Sequence, residues 1–167
     1  MSDATRGYAH RVDIHAQVEA VWQALIDPAL LARWYSPGTG VRIDAREGGT
    51  YGARHGADLD REAHIDVFLP PRRLRLIYMP LPGLPDDGVV IVEDFLLDGD
   101  PLAAQAAGVP ALTVLRLLGS GVPDGMDWGA TYLALRRGWE RSLLRLKVLL
   151  ERPPERAGPS FNRLTGL

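Results

Sequence analysis

The stretch MDWGATYLALRRGWERSLLRLKVLL, residues 126–150, decides the fold. Its apolar residues Trp128, Tyr132, Leu135, Trp139, Leu143, Leu146 and Leu150 recur in steps of three and four, which places them along one side of an α-helix. Arg136, Arg137, Glu140, Arg141 and Arg145 fall on the other side and read as solvated. At ~1.5 Å per residue the helix is roughly 37 Å long, enough to cross a small domain. A rod of that length needs an equally long partner, and the chain before it offers mainly strands. Gly129 and Gly138 lie within the pattern. Each costs about 1 kcal/mol relative to Ala, and the expected reason is close packing or a slight bend rather than a cavity.

Working outward from this helix, the chain opens on an alternating segment from Tyr8, with Tyr8, His10, Val12 and Ile14 on one side, as in a half-buried strand. Val18, Val21, Trp22, Leu25 and Ile26 then have helical spacing, ending at Asp27-Pro28. There Asp can cap a second short helix and Pro can fill its first position. Strands are expected over Val41–Arg46, Thr50–Arg54, Arg61–Leu69, Leu74–Met79, Val89–Leu97 and Ala111–Leu118. Gly48-Gly49 supplies a tight hairpin. Asp98 to Pro110 reads as a long polar and alanine-rich loop, and Gly119-Ser120-Gly121 as a turn. Short connections imply an antiparallel meander. The expected architecture is therefore α+β: a seven-stranded antiparallel sheet with two short helices after its first strand and one apolar face covered by the terminal helix. Residues 1–7 and 151–167 are expected to be flexible ends around a single domain of residues 8–150.

Composition narrows the function. The 167 residues, 46% hydrophobic, suit one substantial core. A formal charge of -2 gives no general attraction to nucleic acid or an anionic membrane. The chain has no cysteine, so disulfides and thiolate chemistry are excluded. The opening residues lack the apolar core of a signal peptide and no stretch approaches 18 uninterrupted apolar residues. A soluble cytoplasmic protein is the expectation. His10 and His15 sit on opposite faces of one strand, His55 and His64 have no partner at ligand spacing, and no HExxH occurs. No metal or cofactor site is expected.

The run Val18 to Pro28 (VEAVWQALIDP), followed by Leu31-Ala32-Arg33-Trp34, resembles the N-terminal signature of the SRPBCC or START-like superfamily, and within it the branch named for the activator of Hsp90 ATPase (AHSA1-like domains). Gly48-Gly49-Thr50-Tyr51, Pro70-Pro71-Arg72-Arg73-Leu74, Thr113 to Gly121, Asp127-Trp128 and Gly138-Trp139 follow in the order of that family, over residues 8–150. The resemblance implies the helix-grip or Bet v 1-like fold, a curved sheet wrapped around the last helix. Three features depart from the family pattern: Val67 stands where an acidic residue is common, Ala16-Gln17 caps the first helix poorly, and the Asp98 to Pro110 loop is long.

The resemblance further implies an apolar pocket between sheet and helix. The candidate lining is Trp34, Tyr51, Ile65, Val67, Leu76, Tyr78, Leu115, Leu117, Trp128, Tyr132 and Trp139. Each of these residue types also suits plain core packing; the tyrosines are the more informative, because a buried phenol needs a hydrogen-bond partner. Glu93 and Asp94 are adjacent acids in an otherwise apolar strand and face opposite sides. The favoured reading lets both reach water at a bulge or strand end. In the other, one of them points inward and orients a ligand or acts as a general base.

Three functions follow. The first is a binding module for an apolar or aromatic small molecule. The second is cavity-based catalysis of the cyclase, hydratase or hydrolase type, with Glu93 as its acid. The third is partnership with an Hsp90-type chaperone, which is not expected: in the named activators the domain is paired with another, and residues 1–7 leave no room for one. A homodimer remains open.

Overall fold

A computed structural model describes residues 4–35, 37, 40–55, 59–78 and 88–152, with only the backbone at 53–55 and 59–61. Its elements are β1 (Thr5–Ile14), α1 (Val18–Ile26), α2 (Pro28–Trp34), β2 (Val41–Ile43), β3 (Thr50–His55), β4 (Leu59–Leu69), β5 (Arg73–Tyr78), β6 (Val92–Gly99), α3 (Pro101–Ala107), β7 (Thr113–Pro123) and α4 (Gly129–Glu151). The strands form one curved sheet in the order β1-β7-β6-β5-β4-β3-β2, every pair antiparallel. The helix-grip α+β architecture read from the sequence is the one observed.

The helix expected from Met126 starts three residues later. Met126–Trp128 form a 3-10 turn, and α4 runs for 23 residues from Gly129. Leu135, Trp139, Leu143 and Leu146 are its buried apolar residues, matching the predicted stripe. Neither glycine is explained by close packing: a Cβ built at Gly129 or Gly138 meets nothing within 4 Å.

Two short helices close the concave face beside α4. Asp27 ends α1 and caps α2, its side chain accepting from the amides of Ala29 (2.8 Å) and Leu30 (3.1 Å). Gln17 precedes α1 without a side-chain cap, as its residue type implies. Trp22 packs on Phe68 of β4 and the Trp34 indole donates to the Ala24 carbonyl at 2.7 Å.

Several boundaries differ from the sequence expectation. β1 begins at Thr5, where Thr5 and Arg6 pair with Pro123 and Val122; between Arg6 and Tyr8 the single residue Gly7 faces two residues of β7, Ser120 and Gly121, a bulge at which Gly121 takes φ 87°. β2 stops at Ile43, since Asp44 and Arg46 turn back on themselves and Gly48 takes φ 76°. β6 spans Val92–Gly99 rather than Val89–Leu97. The Asp98 to Pro110 loop contains α3, with Asp100 accepting from the Ala103 amide at 2.9 Å, Pro101 in the first turn and Gly108 left-handed at φ 68°. Its Ala104 packs with Leu112 and Val114 in a second small apolar cluster on the sheet face opposite α4. Gly119-Ser120-Gly121 is not a turn but the middle of β7, which continues to Pro123. Residues 1–3 and 153–167 lie outside the described residues, as does most of the Pro80 to Gly88 stretch.

Because the Gly138 site is helical and open, Gly138→Ala is expected to stabilise the domain by up to about 1 kcal/mol, raising Tm by roughly 2–4 °C. A thermal melt checks it; a lower Tm would mean that the glycine has a packing role.

Candidate functional site

Side chains on the concave face line up in rows across the sheet. One row runs through Tyr8 (β1), Gly119 (β7), Glu93 (β6), Leu76 (β5) and Ile65 (β4), each paired with the next. The next holds His10, Leu117, Phe95, Leu74 and Phe68. Glu93 thus faces inward and is 0% exposed, whereas Asp94 faces out and holds Arg73 through two contacts of 3.0 and 2.7 Å. The favoured expectation that both acids reach water is corrected. Strand pairing continues on both sides of Glu93, so no strand end or bulge frees it.

Glu93 is the polar centre of an aromatic enclosure. The Tyr8 hydroxyl and the Trp139 indole each donate to its Oε1 at 2.5 Å. Trp139 in turn packs against Tyr35 (ring centres 5.3 Å apart) and edge-on against Phe95 (5.4 Å), and Tyr35 meets Tyr51 edge-on at 6.1 Å. Burial foremost, then nearby Tyr35 and Glu93, pushes the Tyr51 hydroxyl well above the ordinary tyrosine value. It remains a donor, to the Leu25 carbonyl at 3.1 Å.

The reach from Tyr8 to Glu93 depends on the residue between them. Neighbouring strands are about 4.8 Å apart, so Tyr8 must extend across the whole width of β7. It does so over Gly119, where an added Cβ would lie 2.1 Å from the ring. Gly121, two residues on, has φ 87° and its backbone lies against Val90. Gly119 therefore serves a close approach within the sheet, and Gly121 a left-handed bulge position with no room for a side chain.

Of the predicted lining, Trp34, Tyr51, Ile65, Leu76, Tyr78, Leu115, Leu117, Trp128 and Trp139 are buried in the single main core. Tyr132 is partly buried at its edge and donates to the Gly7 carbonyl at 3.0 Å. Val67 does not join them. A register shift between Ile65 and Val67 moves it opposite Arg75, with Asp66 taking the extra place, so it faces the outer side. The bulge breaks the period-two pattern on which its inclusion rested. Sequence reasoning missed Tyr8, Tyr35, Phe95 and Gly119. The signal for Tyr8 was present, since a phenol on the inward side of a strand needs a partner.

Trp128 lines an open cleft of about 640 Å³ whose other walls include Thr5, Val89, Val90 and Pro123. His10 lies beside the Tyr8 ring (6.0 Å) and beneath α4. Burial, aided by Arg136 and opposed by Glu140, holds its pKa below the usual 6.5. Among the described residues no three His, Asp or Glu side chains gather as metal ligands, and no helix is long and apolar enough to cross a membrane.

Fold and site together define a class, a helix-grip domain with a buried acid in its grip. Residues 15–93, just under half of the chain, match the family model described as "Activator of Hsp90 ATPase homolog 1-like protein". Among curated proteins none matches the chain in sequence. Solved structures share the fold over nearly its whole length. Protein MLL2253 from Mesorhizobium loti has TM-score 0.73 and 20% identity, over 89% of this chain and 99% of that one. CalU16 from Micromonospora echinospora has TM-score 0.64 and 22% identity, over 88% and 77%. The Aha1 dimer from Colwellia psychrerythraea has TM-score 0.64 and 22% identity, over 87% and 96%.

Two measurements test the site. Tyr8→Phe and Gly119→Ala should each cost about 1–3 kcal/mol in urea unfolding, since both take a donor from buried Glu93. The double variant should cost clearly less than their sum, and strict additivity would dissociate Gly119 from the Tyr8 contact. For pH, a group with a depressed folded pKa stabilises above its unfolded value and loses that contribution as pH falls. Stability should therefore decline below about 6.5, and less steeply in His10→Phe, as read by chemical unfolding across that window.

Proposed function

We propose that this domain holds an apolar or aromatic small molecule between its sheet and α4, with the Tyr8–Glu93–Trp139 group setting the ligand's orientation. The observation that carries this reading is Glu93 itself. A wholly buried acid is an expensive choice for packing, and an apolar residue of similar size would fill the same row at lower cost. Such residues are retained where a site needs a polar group in an apolar setting. The cleft at Trp128 supports the reading by its size, which falls in the range of small-molecule sites, and by its place beside Val90, one residue before buried Ile91 on the way to Glu93. The ligand's apolar body would sit against Trp128, Val89 and Val90; neither Glu93 nor Tyr8 lines this cleft, so the polar end would exchange hydrogen bonds with them only once the wall at Ile91 had parted. The protein would act in the cytoplasm, without a bound cofactor.

A second reading uses the same residues for proton transfer. It is favoured by the short contact between Tyr8 and Glu93, a phenol and a carboxyl within reach of each other and of one bound molecule. An Hsp90-type partner has weaker support. It rests on the family's description and on the fold of remote neighbours, including PFC0360w, an HSP90 activator from Plasmodium falciparum, with TM-score 0.69 and 15% identity, over 88% of this chain and 97% of that one.

The test is a titration with a panel of aromatic and aliphatic compounds followed by Trp fluorescence, with native mass spectrometry of the purified protein. Binders should quench or shift the emission. Glu93→Gln should weaken those that carry a hydrogen-bonding group by about tenfold, and Trp128→Ala should weaken all of them. If no compound perturbs the fluorescence and nothing co-purifies, the binding reading fails. Loss of turnover in Glu93→Gln with retained binding would favour catalysis instead.

A further inference from the structure

The outward side of α4 carries a groove remote in character from the Glu93 site. It has a volume of about 470 Å³ and lies where the C-terminal half of α4 meets the last turn of α2. Its floor is apolar: Leu144 and Val148, one helical turn apart, are 61% and 52% exposed. Its rim is cationic, built by Arg33 of α2 and by Arg141, Arg145 and Arg152 along α4, and among the described residues no acidic one lines it. The chain as a whole carries a formal charge of -2, so this positive surface is a local concentration rather than a general property.

The four arginines are not equivalent. Arg145 is fixed, donating to the Trp34 carbonyl at 2.9 Å, the Ser142 hydroxyl at 2.9 Å and the Tyr35 carbonyl at 3.4 Å, and so joins α4 to the end of α2. Arg33, Arg141 and Arg152 form no ion pair among the described residues. The outer face of the sheet shows the contrast, because there Arg73, Arg75 and Arg116 are matched to Asp94, Asp66 and Asp98. Among the described residues, the groove leaves the guanidinium groups of Arg33, Arg141 and Arg152 without an acidic partner.

We propose that this groove is a docking site for an acidic amphipathic helix of another protein. A helix laid along it would set apolar residues at i and i+4 onto Leu144 and Val148. Flanking carboxylates would meet the planar forks of the arginines, which suit two-point pairing. From Arg141 to Arg152 the groove is roughly 16 Å long, about three turns of the incoming helix. A second copy of this chain pairing through the same face is disfavoured by sign, since that sets arginine against arginine. The chain's own residues 153–167 are a poor match too, with Arg156 and Arg163 against Glu155. The concave shape suits a rod better than a flat membrane.

Fluorescence anisotropy tests this with two labelled synthetic peptides that share leucines at i and i+4 and differ only in carrying Glu or Lys at the flanking positions. The wild-type chain should bind the Glu peptide, more weakly as salt rises, and not the Lys peptide. Combined Arg33→Glu, Arg141→Glu and Arg152→Glu should weaken binding about tenfold or more, with far-UV circular dichroism unchanged. Leu144→Ser, a milder change, should weaken it while keeping the salt dependence. Equal affinity for the two peptides, no loss in the charge-reversed variant, or no binding of the Glu peptide would overturn the proposal. So would binding to phosphatidylserine vesicles without binding to the Glu peptide, which would reassign the surface to membranes.

Discussion

The contact of Tyr8 and Trp139 with the Glu93 carboxyl is the constraint that the interior of this domain must satisfy. It joins the first strand, a central strand and the last helix through one oxygen atom. An acid without exposure has to be supplied with donors from the protein, and each donor comes from a different end of the chain. The sheet order then follows as a requirement: β1 must lie within one strand of β6, and β7 is the strand between them. The residue of β7 at that crossing must leave room for a ring, which is why Gly119 sits there.

The aromatic shell performs two tasks at once. Trp34, Tyr35, Tyr51, Phe95 and Trp139 contribute a large share of the apolar area on the concave side, and their edge-to-face contacts add about 0.5–1.5 kcal/mol a pair beyond burial. They also exclude water from Glu93, so that a hydrogen bond made there acts in a medium of low dielectric. Nine of the eleven residues expected to line a pocket are buried members of this core.

The fold was legible because its signals are long or repeated. A helix of more than six turns with an aromatic-to-aliphatic stripe, and strands bounded by Gly-Gly and Pro-Pro pairs, leave little room for another architecture. Asp27-Pro28 announced its cap and helix start correctly. The same Asp-Pro pattern at Asp100-Pro101, followed by alanines and Gly108, announced α3 and was masked by the polar composition around it. What could not be read was whatever depends on a single inserted residue. The bulge at Asp66 turns Val67 outward although its neighbours predict the reverse, and glycines that look like a turn can equally flatten a strand beneath a ring. The inward direction of Glu93 belongs to this group, since register across three strands settles it and no local pattern does.

Pairing of β1 with β7 joins segments more than a hundred residues apart in the chain, as Tyr8 with Gly119. Until Gly119 and then Trp139 have been synthesised, Glu93 has neither of its two named donors and stays hydrated. Closure of the sheet and drying of its acid both rest on contacts of long sequence separation, a kind that forms slowly. A chain cut short before α4 would be left with an open concave face and a wet carboxylate at its centre, a state that quality-control machinery can recognise by its exposed aromatic rings.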